Sequence, residues 1–108
     1  MAIVHLDEKN FRGELANSET PVVIDFFAEW CGPCKMLGPV FEELDSEFEG
    51  KMKFVKVDID ESPEIAERFN VRGVPTLVIL RGDQEVDRIV GLLPKEVLKE
   101  KLEEFIQR

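Results

Sequence analysis

The chain has 108 residues, 44% of them hydrophobic and 34% charged, which fits one folded domain with its own core and excludes a disordered chain. Acidic side chains outnumber basic ones 23 to 14, and the formal charge of −9 speaks against nucleic acid or an anionic membrane as partner. No apolar run approaches the ~20 residues that a membrane-spanning helix needs. One domain is therefore expected over 1–108, and the segment Met1 to Glu8, without a basic flank or an apolar stretch, gives a cytoplasmic address as the expectation.

Ile3 to Leu6 is a short apolar run ended by Asp7, a residue suited to cap a helix. Phe11 and Leu15, four apart, mark that first helix. Pro21 opens Val22-Val23-Ile24-Asp25-Phe26-Phe27-Ala28, which reads as a strand buried on both faces. Met36, Leu37, Val40, Phe41, Leu44 and Phe48 then recur at mostly helical spacing, with a kink expected at Pro39.

Met52 to Ile59 alternates as a second core strand, and Ser62-Pro63 supplies a cap and first position for a helix carrying Ile65, Ala66 and Phe69. Pro75 begins the strand Thr76 to Leu80. Arg81-Gly82-Asp83-Gln84 turns the chain, and Val86, Ile89 and Val90 return it as a hairpin. Beyond Pro94, Leu98, Leu102, Phe105 and Ile106 line a closing helix. The order β-α-β-α-β-α-β-β-α puts parallel crossovers first and an edge hairpin last. It predicts an α/β fold with a central mixed five-stranded sheet flanked by four helices.

Cys31 and Cys34 are the only cysteines, which does not resemble a secreted disulfide framework. On the map above, Cys31 follows a buried strand and Cys34 lies in the first turn of a helix. Unpaired N–H groups and the positive helix end stabilise a thiolate there. Gly32 permits a tight turn, and Pro33 gives up no needed N–H. The competing reading is half a zinc site, but zinc usually takes four ligands and the chain offers only His5 besides this pair. Redox chemistry without a metal is the expectation.

The segment Asp25-Phe26-Phe27-Ala28-Glu29-Trp30-Cys31-Gly32-Pro33-Cys34-Lys35 resembles the active-site stretch of the thioredoxin family. Lys56-Val57-Asp58, Val71-Arg72-Gly73-Val74-Pro75-Thr76 and Gly91 extend the resemblance, in family order, over almost the whole chain. It implies the thioredoxin fold and a monomeric protein-disulfide reductase. Such a protein needs no cofactor beyond the Cys31–Cys34 disulfide and is re-reduced by a thioredoxin reductase. In the family, Gly-Pro between the cysteines goes with reducing members, so Gly32 and Pro33 are expected to tune the redox direction. The alternatives are a disulfide isomerase or oxidant, and a non-catalytic binding or assembly subunit using the same surface.

Cys31 is expected to attack and Cys34 to resolve. Asp25 interrupts an apolar strand, where burial would raise its pKa and suit it to take the proton of Cys34; the alternative is a strand aspartate reaching water. The resemblance places Lys56 near that carboxylate, against the alternative of a solvated lysine. It also implies a cis bond before Pro75, facing the cysteines and exposing Val74 to an extended substrate. Trp30, Gly73, Gly91 and Leu92 would complete a shallow apolar groove, unless Trp30 is instead a half-buried core aromatic. Phe27 and Leu80 depart from the family, many members having tryptophan and phenylalanine there, and Gly82 comes one place early in its turn.

Overall fold

The computed structural model describes residues 3–107. Along the chain lie β1 (Val4–His5), α1 (Phe11–Ala16), β2 (Val22–Phe27), α2 (Gly32–Glu47), β3 (Lys53–Asp58), α3 (Pro63–Arg68), β4 (Thr76–Arg81), β5 (Gln84–Val90) and α4 (Lys95–Gln107). The strands form one sheet in the order β1-β3-β2-β4-β5. β3 runs parallel to β1 and β2, whereas β4 is antiparallel to β2 and β5 to β4. The mixed five-stranded sheet with helices on both faces is the architecture that the element order predicts.

The apolar character of Val22 to Phe26, broken only at Asp25, follows from its central place, because both faces are covered and all five residues are buried. On one face Val23, Leu77 and Ile79 meet Leu37, Phe41 and Leu44 of α2 and Leu98, Leu102 and Phe105 of α4. On the other, Ile24, Phe26, Val55 and Val78 meet Ile65 and Ala66 of α3, with Phe11 and Leu15 of α1 half-buried beside them. Strand alternation puts Asp25 on the side of Val23, under α2.

Local details depart from the sequence reading. Asp7 does not cap α1; its carboxylate accepts the N–H groups of Lys9 (2.8 Å) and Asn10 (2.9 Å), forming an Asx turn before the helix. Asn10 is the capping residue by position. β1 is only two residues long and exposed, as suits an edge strand with one neighbour. Pro39 lies inside α2, as the sequence reading places it. Ser62 caps α3 with its carbonyl, which accepts from Ile65 (3.2 Å) and Ala66 (3.4 Å), and not with its hydroxyl. In the hairpin Arg81 pairs with Gln84, leaving a two-residue loop whose first member, Gly82, has φ 67°. Glycine is the residue that a type II′ turn requires there.

Phe41 is fully buried between α2 and the sheet, with its ring 4.9 Å from that of Phe54. Phe41→Ala is expected to destabilise the protein by roughly 3–5 kcal/mol, measured by urea unfolding. A loss under about 1 kcal/mol would show that this layer is not tightly packed.

Candidate active site

β2 ends at Phe27, the chain turns through Ala28 to Trp30, and α2 begins at Gly32 with Cys31 as its N-cap. The Cys31 sulfur accepts the backbone N–H of Cys34 at 3.2 Å, so sulfur stands where a capping oxygen usually does. This is the environment the sequence implied: an N–H donor and the positive end of a sixteen-residue helix directed at one sulfur. Cys31 and Cys34 are joined as a disulfide, with Cα atoms 5.2 Å apart. Both are nearly buried, 5% exposed, and pack with Ala28 against Phe27, Ile59 and Val74.

Gly32 and Pro33 are exposed in the first turn of α2. The Val74–Pro75 bond is cis, and the Val74 carbonyl oxygen lies 3.7 Å from Cys31 Sγ. Thr76 Oγ1 donates to the Gly73 carbonyl at 2.7 Å, and Gly91 N–H to the Pro75 carbonyl at 2.9 Å. Gly91 has φ 94°, a conformation suited to glycine. These bonds place Gly73, Val74, Pro75 and Gly91 beside one another. Leu92 follows, 38% exposed.

Trp30 is 70% exposed, which removes the core-aromatic reading. Its indole N–H donates to Asp60 at 2.9 Å. Asp60 is held in turn by Asp58, whose carboxylate accepts the Asp60 N–H at 2.9 Å. Sequence reasoning missed Asp60, although Asp58-Ile59-Asp60 carries the Asx-turn signal two residues apart. Its contact with Trp30 spans thirty residues and no local pattern announces it.

Asp25 is 1% exposed, and its Oδ1 has no hydrogen-bond partner. Burial pushes its pKa up from the ordinary 3.8 to about 6, while the charge of Lys56 acts in the opposite direction. The alternative of an aspartate reaching water is thereby removed. Lys56 is the register partner of Asp25 on β3. Its ammonium does not ion-pair with Asp25 but sits 4.6 Å from the centre of the Phe27 ring. A cleft of about 260 Å³, lined in part by Phe27, Ala28, Cys34, Gly38 and Lys56, opens this region to solvent. Among the described residues no group of three or more His, Cys, Asp and Glu side chains is placed to hold a metal ion, and no helix is long and apolar enough to cross a membrane.

The thioredoxin family model matches residues 2–104. The chain belongs to the thioredoxin family. It is 46% identical over 99 residues to the thioredoxin of Chlorobaculum thiosulfatiphilum, covering 92% of both chains. It is 43% identical over 105 residues to thioredoxin 1 of a Nostoc species, covering 97% of this chain and 98% of the relative. An M-type chloroplastic thioredoxin of Zea mays is 38% identical over 104 residues, 96% of this chain and 62% of the relative. With its cysteine pair closed in a disulfide at a helix N-terminus, the chain is a thiol–disulfide oxidoreductase that reduces protein disulfides. The alternative readings, binding subunit or oxidant, are not favoured.

The raised pKa of Asp25 makes stability depend on pH. The unfolded carboxyl releases its proton near 3.8 and the folded one near 6, so the native state binds more protons in that window. Stability contributed at this site therefore falls as pH rises from about 4 through 6, by about 3 kcal/mol in all. Asp25→Asn is expected to stabilise the protein by up to that amount at pH 8 and little at pH 4, read from urea midpoints. An equal effect at both pH values would contradict a buried, charge-penalised carboxyl.

Proposed function

We propose that Cys31 is the attacking thiolate, Cys34 the resolving thiol and Asp25 the base that takes the proton of Cys34. The observation that carries this reading is the N–H of Cys34 donating to Cys31 Sγ at the start of α2. It favours negative charge on Cys31 once the pair is reduced. Cys31 then attacks one sulfur of a target disulfide, the target S–S bond breaks, and one target thiolate leaves. Asp25 accepts the Cys34 proton, and Cys34 attacks Cys31 Sγ. The second target thiolate departs, leaving the target reduced by two electrons and Cys31–Cys34 oxidised.

Thiolate activation supplies little of the rate. A thiol of pKa ~8.5 is ~3% ionised at pH 7, against about half at ~7, the value characteristic of thioredoxins. That gain of roughly 15-fold is offset roughly 5-fold by lower nucleophilicity, for a net factor of about three. Holding the target, and the intramolecular position of Cys34, must supply more. Trp30, which precedes Cys31, and Leu92, which follows Gly91, are exposed apolar side chains that support an apolar groove at the site, with Val74 offering its backbone to an extended target segment. Lys56, opposite Asp25 in register, modulates the basicity of that carboxylate. Gly32 and Pro33, exposed between the sulfurs, set the reducing direction in this reading.

Electrons return from a thioredoxin reductase, with no cofactor in this chain beyond the disulfide itself. A complete site within one chain supports action as a monomer. A lone redox pair supports a reducing compartment such as the cytoplasm.

With Cys34→Ser, mixed disulfides with protein targets are expected to accumulate on Cys31, seen as slower bands on non-reducing gels. Cys31→Ser should trap none. Equal trapping by the two variants would overturn the assigned roles.

A further inference from the structure

Arg88 lies on β5, away from the sulfurs, and the mechanism above does not use it. Residues three apart on an unbroken strand face opposite sides of a sheet. In β5, however, Ile79 pairs with Asp87 and Leu80 with Glu85, so Val86 is an extra residue and the strand is bulged. The bulge turns Glu85 onto the face of Arg88. Glu85 stands opposite Leu80 and Arg88 opposite Val78, both of which point to the α1 and α3 side.

Glu85 grips the guanidinium by two bonds, from Nε to Oε2 and from Nη2 to Oε1, each 2.8 Å. The remaining reach of the guanidinium is directed at the end of α3. Nη2 donates to the Phe69 carbonyl at 2.5 Å and Nη1 to the Asn70 carbonyl at 3.2 Å. Carbonyls at a helix C-terminus lack partners within the helix, and here a side chain from the edge strand supplies them. Asn70 itself has φ 54°, the left-handed conformation in which the chain leaves α3.

From that anchor only Val71, Arg72 and Gly73 separate the chain from Val74, whose carbonyl faces Cys31 Sγ. The far end of the segment is fixed by Thr76 on Gly73 and Gly91 on Pro75. At the near end the N–H groups of Phe69, Asn70 and Val71 donate back into α3, to Ile65, Glu67 and Ala66, and among the described residues the guanidinium alone takes the outward-facing carbonyls of Phe69 and Asn70. We propose that Arg88, oriented by Glu85 across the β5 bulge, is a positioning residue for target binding: it fixes the end of α3 and thereby the 71–74 segment on which the target lies. This rests on the reading of Val74 as part of the groove.

The test measures reduction of insulin with dithiothreitol as electron source, reduction of dithiobis(nitrobenzoate) by the pre-reduced protein freed of dithiothreitol, and amide hydrogen exchange. Arg88→Ala is expected to raise KM for insulin about fivefold while kcat and the rate with the small disulfide stay within about twofold. Exchange at Val71 to Val74 should quicken, and Arg88→Lys, which keeps the charge beside Glu85 but has one nitrogen, should recover part of the KM. If Arg88→Ala does not fold, Arg88→Lys carries the same comparison. Unchanged exchange at 71–74 overturns the positioning role whatever the kinetics. So does an equal loss on both disulfides, because a purely structural role acts on both. Quicker exchange with unchanged KM overturns the groove reading, and with it the part of Arg88 in binding.

Discussion

A carboxyl group closed into the middle of a sheet is an uncomfortable element for a small domain. β2 is the strand on which the sheet is centred, and Asp25 is its fourth residue, flanked in the chain by Ile24 and Phe26 that pack the opposite face. One of its oxygens is buried and has no hydrogen-bond partner in the protein. An ionised carboxyl there is costly to folding, where an apolar residue of similar size would not be. The raised pKa brings the group into the range where it can both hold and release a proton near neutral pH.

The other parts of the site are arranged around that constraint. α2 covers the face on which Asp25 lies, and the same helix begins at the sulfur pair. The Lys56 cation is held on the Phe27 ring instead of pairing with Asp25. A direct ion pair there would hold the carboxylate ionised and lower its pKa, weakening it as a base. Across the sulfurs, the 73–75 segment is tied by hydrogen bonds to Thr76 at the start of β4 and to Gly91 just past β5.

Much of this was legible in the chain. The run Val22 to Phe26 showed a strand covered on both faces, and the interrupting Asp25 marked itself by its chemistry alone. The strand-to-helix placement of Cys31 gave the N-cap setting before any coordinates. What stayed illegible depends on contacts between distant residues. Asp60 meets Trp30 across thirty positions, and the bulge at Val86 shows only when the register of β4 and β5 is laid out. Asp7 misled because aspartate serves Asx turns and helix caps by the same hydrogen bonds, and the chain context favours the turn. Ser62 does stand at the N-cap of α3 with Pro63 after it, but its hydroxyl makes no capping bond.

The proposed chemistry turns on Asp25 removing the proton from Cys34. The most direct measurement is the pH dependence of mixed-disulfide resolution in single turnovers, for the native chain and for Asp25→Asn. The account predicts a rate that rises with pH through an inflection near 6 in the native chain, and the loss of that inflection in the variant. An unchanged inflection in Asp25→Asn would contradict it.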